Sequence, residues 1–116
     1  MVDKTNINNM IKGWFVGDFD PVAVRTPDCE VGYKKYKKGD YEAKHHHKIA
    51  KELTLITKGK VLMNNIEYGE GEIIIMNPGE STDFKALTDA ENVVVKIPSV
   101  KNDKYVDDQK NQNSNP

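Results

Sequence analysis

The dominant pattern in the sequence is a succession of short apolar or alternating runs, at residues 30–36, 53–57, 60–63, 66–68, 72–76 and 92–97. Each has the length of a strand, and several are rich in β-branched residues that suit a pleated, half-buried surface. Turn-forming groups separate them: Lys38-Gly39-Asp40, Lys58-Gly59, Asn64-Asn65, Gly69-Glu70-Gly71 and Asn77-Pro78-Gly79. Asn64-Asn65 suits a two-residue hairpin turn, because asparagine tolerates the left-handed backbone such turns require. No stretch carries a convincing helical period, so the pattern predicts an all-β sandwich or barrel.

Two runs, Ile73-Ile74-Ile75-Met76 and Val93-Val94-Val95, are apolar at consecutive positions. Successive side chains of a strand point to opposite faces, so both faces of these strands must be covered. A second sheet, a partner subunit or a terminal segment such as residues 13–19 can do this, with Trp14, Phe15 and Phe19 packing on the outside. The basic run Lys34-Lys35-Tyr36-Lys37-Lys38 reads as a solvated edge strand, where lysines discourage stray pairing. The first nine residues are polar and are expected to be flexible. The segment 106–116 has nothing apolar after Val106 and is expected to be a disordered tail, which leaves one domain over 10–105.

Composition narrows the function classes. With 116 residues the chain is the size of one domain, and a net charge of −1 removes any general electrostatic case for nucleic-acid binding. No run approaches the length of a membrane span and the first ten residues lack a signal-peptide core, so the expected home is the cytoplasm, without membrane attachment. Cys29 is the single cysteine. It allows no intramolecular disulfide, and its acidic neighbours Asp28 and Glu30 oppose a reactive thiolate.

The candidate chemistry lies in residues 39–59, GDYEAKHHHKIAKELTLITKG. In a strand His45 and His47 project to one side and His46 to the other. Glu52 follows after a short connection and heads the next strand, where a tight reversal brings its carboxylate toward the two imidazoles. Two neutral imidazoles and one carboxylate suit Fe, Mn, Zn or Ni and leave positions open for water or substrate. Lys96 interrupts the apolar run at residues 93–97 and shares a face with Val94; it is either a strand-end lysine whose ammonium reaches water or, if that face lines a barrel, a buried charge that needs a carboxylate partner or an anionic ligand. Tyr33, Tyr36 and Tyr41 are candidate hydroxyl donors, with ordinary packing as the alternative for each.

The wider spacing resembles the first motif of the cupin superfamily: a glycine, five residues, His-x-His, a short spacer, a glutamate, six residues and a glycine. Gly39, His45, His47, Glu52 and Gly59 stand at every position of it. The second motif resembles residues 71–87, with Pro78 in place, but its histidine is missing. Counting from Pro78 puts Asp83 there and Glu80 at the motif's glycine, so Asp83 is read as a fourth ligand or as a polar turn residue.

The resemblance implies a double-stranded β-helix (jelly-roll) barrel and a divalent transition metal held by His45, His47, Glu52 and Asp83. A partner subunit over the apolar strands would make the chain a homodimer, and its substrate or ligand is expected to be a small molecule. The corresponding activity is isomerase or lyase chemistry on a sugar or sugar acid, with Glu52 and Asp83 in catalytic roles. An Fe(II)-dependent dioxygenase and a non-catalytic ligand-binding barrel are the alternatives.

Overall fold

The alternating runs form two facing β-sheets in a computed structural model, which describes residues 1–107. The strands are β1 (Trp14–Gly17), β2 (Val24–Arg25), β3 (Glu30–Tyr36), β4 (Tyr41–His47), β5 (Lys51–Lys58), β6 (Val61–Met63), β7 (Ile66–Tyr68), β8 (Ile73–Met76), β9 (Ser81–Ala86), β10 (Ala90–Ile97) and β11 (Lys104–Val106). One sheet runs β2-β1-β3-β10-β5-β8 and the other β11-β4-β9-β6-β7. All pairings are antiparallel except β1 with β2. Asn64 and Asn65 both take positive φ, as the hairpin between β6 and β7 requires. Among the described residues no helix is long and apolar enough to cross a membrane.

The space between the sheets is divided. One part is apolar, built from Ile56, Val61, Met63, Phe84, Ala86 and Ala90, with Tyr36, Tyr68 and Ile74 packed against it. Inward positions elsewhere on the same strands carry polar groups: His45 and His47 on β4, Glu52 and Thr54 on β5, Thr82 on β9 and Asn92 on β10, all buried. Burying polar groups is costly unless they find partners, so this polar part needs a ligand-level explanation that the apolar part does not.

Three expectations are corrected. The basic segment is not an edge strand, because β3 lies between β1 and β10, and its register opposite β10 turns Lys34 inward beside Asn92. Trp14 does not cover the outside: it pairs with inward-facing Gly32 and lines the cavities between the sheets. The regular chain extends beyond residue 105, since β11 continues to Val106 and the Asp107 N–H donates to the Lys44 carbonyl at 2.8 Å. At the other terminus, Ile7–Asn9 form one turn of 3-10 helix capped by the Asn6 side chain. The rest of the expected tail, 108–116, lies outside the described residues.

Candidate metal centre

His45 and His47 lie two residues apart on β4 and both point between the sheets, 6% and 2% exposed. His46 faces the opposite way, bonded through Nδ1 to Asp107 at 2.8 Å and stacked on Tyr105. The chain then reverses through Lys48, Ile49 and Ala50 into β5, which delivers Glu52 to the same space. One potential ligand atom from each of His45, His47 and Glu52 lies within 4.8 Å of the others. His47 Nε2 is 3.8 Å from Glu52 Oε1, and the two imidazole rings meet edge to face.

The reversal is held from outside the motif. Asp103, buried just before β11, accepts the N–H groups of Lys48 at 3.1 Å, Ile49 at 3.2 Å and Ala50 at 2.9 Å. Burial alone would raise the Asp103 carboxyl, but these backbone donors outweigh it and hold the group below the usual carboxylate range. The His47 carbonyl also accepts from the Gly79 N–H at 2.7 Å, tying β4 to the turn after β8.

The histidines are prepared to act as ligands. His45 Nδ1 lies 3.1 Å from the Ala43 carbonyl, which can only accept, so that nitrogen carries the proton and Nε2 keeps its lone pair. Both ring nitrogens of His47 are buried without a hydrogen-bond partner among the described residues. Burial, Lys96 and His45 together push the His47 imidazole down to about 4, and burial also lowers His45. Both rings are therefore neutral at pH 7, the form that coordinates a cation. Burial raises the Glu52 carboxyl against the opposing pull of Lys96, a cost that a bound cation would offset. An orphaned imidazole, a fixed tautomer and a desolvated carboxylate make the set fit a divalent transition metal.

Asp83 is not part of the centre. Along β9 the buried positions are Thr82, Phe84 and Ala86, so Asp83 faces away, where its Oδ1 accepts the Asn64 N–H at 2.8 Å. The residue directly across from His45 is Thr82, whose hydroxyl donates to the Asp83 carbonyl at 2.7 Å. The fourth-ligand and catalytic roles expected for Asp83 are both withdrawn. Counting from Pro78 set the strand one residue out of phase, and a one-residue slip exchanges the two faces.

His45, Glu52 and Thr82 open on a cavity of about 270 Å³ that also receives Tyr36, Glu42 and Asn92. A second cavity, about 590 Å³, reaches His47 from the other side; Trp14, Lys96 and Lys104 line both. Lys96 points inward, as its parity with Val94 suggested, with Nζ 3.9 Å from Glu30 Oε1. Tyr36 donates to Glu42 at 3.2 Å and is raised by burial and by that glutamate. Tyr33 instead bonds to Glu91 on the other face, and Tyr41 is exposed. Asp103, Thr82 and Asn92 were missed in the sequence. Only Asn92 carried a signal, because it shares strand parity with Val94 and Lys96.

No protein-family model and no curated protein matches the sequence. Solved structures match its shape. A protein with a double-stranded β-helix domain from Klebsiella pneumoniae superposes with a TM-score of 0.64 at 20% identity, over 70% of this chain and 71% of that one. The DMSP lyase DddQ from Ruegeria pomeroyi gives 0.67 at 16% identity, over 81% of this chain and 49% of that one. A cupin-2 domain protein from Shewanella frigidimarina gives 0.55 at 16% identity, over 62% and 72%. With its two facing sheets, and with the first-motif residues gathered between them, this chain folds as a cupin, a double-stranded β-helix.

Proposed function

We propose that the chain is a metal-dependent enzyme performing isomerase or lyase chemistry on a small polyhydroxylated substrate, a sugar or sugar acid, and that it works as a homodimer. The observation that carries the reading is the buried trio His45, His47 and Glu52, with an imidazole that no other described residue satisfies, opening on a polar cavity. His45, His47 and Glu52 would hold the ion, which when bound supplies a Lewis acid for a substrate carbonyl or carboxylate.

The protein's own groups do the rest. Glu52 has its role as a ligand, and Asp83 faces away, so proton transfer falls to the Tyr36–Glu42 pair, hydrogen-bonded in the same cavity. Tyr36 stays protonated at neutral pH and donates its hydrogen bond to Glu42, so the Glu42 carboxylate is the group placed to take a proton from the substrate and to return it, with Tyr36 orienting it. The flanking apolar cluster of Met63 and Phe84 limits water at that end. A lyase among the proteins of the same fold supports this class of chemistry by analogy only, since one scaffold hosts many reactions.

Elemental analysis of purified protein after reconstitution with Fe, Mn, Zn or Ni tests the reading. Wild type should retain near-stoichiometric metal and His45→Ala/His47→Ala should retain none. Wild type and variant emerging equally metal-free would remove the metal, and with it the enzyme proposed here.

A further inference from the structure

We propose that the cavity beside the candidate metal centre is built for a hydroxylated carboxylate, a sugar acid rather than a neutral sugar. Lys34, Lys96 and Lys104 would receive its carboxylate and Asn92 one of its hydroxyls. The inference deepens the small-molecule reading of this cavity and rests on it.

The charge comes from three strands and from both sheets. Lys34 on β3 and Lys96 on β10 both point inward, and Lys104 enters from β11, where it pairs with His47. The ammonium groups of Lys34 and Lys96 lie 5.0 and 4.9 Å from the centre of the Trp14 ring. That ring is seated on Gly32, where any β-carbon would come within 2.8 Å of it. With Lys12, four lysines line the cavity against two carboxylates, Glu42 and Glu52, in a chain whose net charge is −1.

Glu42 and Glu52 offset only part of that charge. Among the described residues the only ion pair of Lys96 is the long contact to Glu30, and neither Lys34 nor Lys104 forms one. Lys34 Nζ donates to the Lys12 carbonyl at 2.8 Å, which leaves further hydrogens for a ligand. Gathering like charges in a partly desolvated space is unfavourable, and an anion reverses the sign of that interaction while a neutral sugar does not.

Asn92 supplies an independent observation. It is 1% exposed, lines the cavity, and its Oδ1 has no hydrogen-bond partner among the described residues. Lys34 lies directly across from it on the neighbouring strand, so an ammonium donor and an open acceptor face the same space. A ligand with a carboxylate alone would leave the Asn92 acceptor orphaned, and one with hydroxyls alone would leave the lysines uncompensated.

Calorimetry on the full-length protein stripped of metal separates this inference from the metal reading, because anion recognition here does not depend on the ion. D-gluconate and D-glucuronate should bind, and sorbitol and inorganic phosphate should bind far more weakly. Lys34→Gln/Lys104→Gln and, separately, Asn92→Ala should each weaken D-gluconate about tenfold or more, while Lys104→Arg retains it. Absence of binding by both acids at millimolar concentration overturns the inference. So does sorbitol or phosphate binding as tightly as D-gluconate, or an unchanged affinity in the lysine variant. Zinc uptake measured in parallel on the same samples reports on the metal centre alone.

Discussion

Asp103 shows how much of a ligand set can depend on a residue outside it. Its carboxylate closes the turn from His47 to Glu52 by accepting three consecutive backbone N–H groups, and no other described residue is bonded to those donors. Replacing it with alanine would leave the buried Ala50 N–H and its two part-buried neighbours unsatisfied and release the reversal. The expected cost for Asp103→Ala is about 2–4 kcal/mol in urea unfolding, together with weaker metal retention. A variant that unfolds as wild type and holds metal equally well would show that the motif residues set the turn unaided. Nothing in the sequence marks Asp103, which sits in a polar stretch with no strand pattern, because its importance comes from a contact made more than fifty positions away. His45, His47 and Glu52 were legible for the opposite reason: their relation is local, fixed by strand parity and one short turn. Asp83 was misread because the same parity, applied from a turn whose length had to be assumed, is reversed by a single residue.

At the scale of elements, the central strands were legible from alternation and turn chemistry, and the hairpin at Asn64-Asn65 formed where expected. The short peripheral strands β1, β2 and β11 were not, since each is defined by the neighbour it pairs with rather than by its own pattern. Likewise the lysine run around β3 has the composition of an edge, and only the addition of β1 makes it internal. The two glycines that bracket the first motif also differ in a way the sequence conceals. Both have positive φ, yet a β-carbon at Gly39 would meet nothing within 4 Å, while one at Gly59 would come 2.1 Å from the Asp89 carbonyl oxygen, which is backbone. Gly39→Ala should therefore cost only the left-handed strain, about 1 kcal/mol. Gly59→Ala should cost about 3 kcal/mol or more, because the β5–β6 turn and the Asp89 loop must also separate. Chemical denaturation of the two variants gives the comparison, and equal losses would mean that the loop yields freely.

At the scale of the whole molecule, the outer face of the six-stranded sheet stands out. Ile73 and Ile75 on β8 are 61% and 56% exposed, and the register continues their rows through Leu55 and Leu53 on β5 to Val93 and Val95 on β10. The N-terminal segment packs farther along the sheet, where Ile7 and Met10 share a pocket with Phe15 and Tyr33, and Ile73 and Ile75 stay exposed. A two-fold axis through the centre of this strip would lay apolar rows on apolar rows, so the face is complementary to itself. That is the ground for the proposed homodimer, whose interface would lie away from the cavity. Light scattering on the purified protein should give twice the 13.1 kDa chain mass, and Ile73→Lys/Ile75→Lys should give the single-chain mass while keeping its metal, because these side chains point away from His45, His47 and Glu52. A wild-type chain that stays monomeric at micromolar concentration, or a double variant that still dimerises, would refute this interface. Loss of metal together with loss of the dimer would instead mean that the partner subunit supports the centre itself.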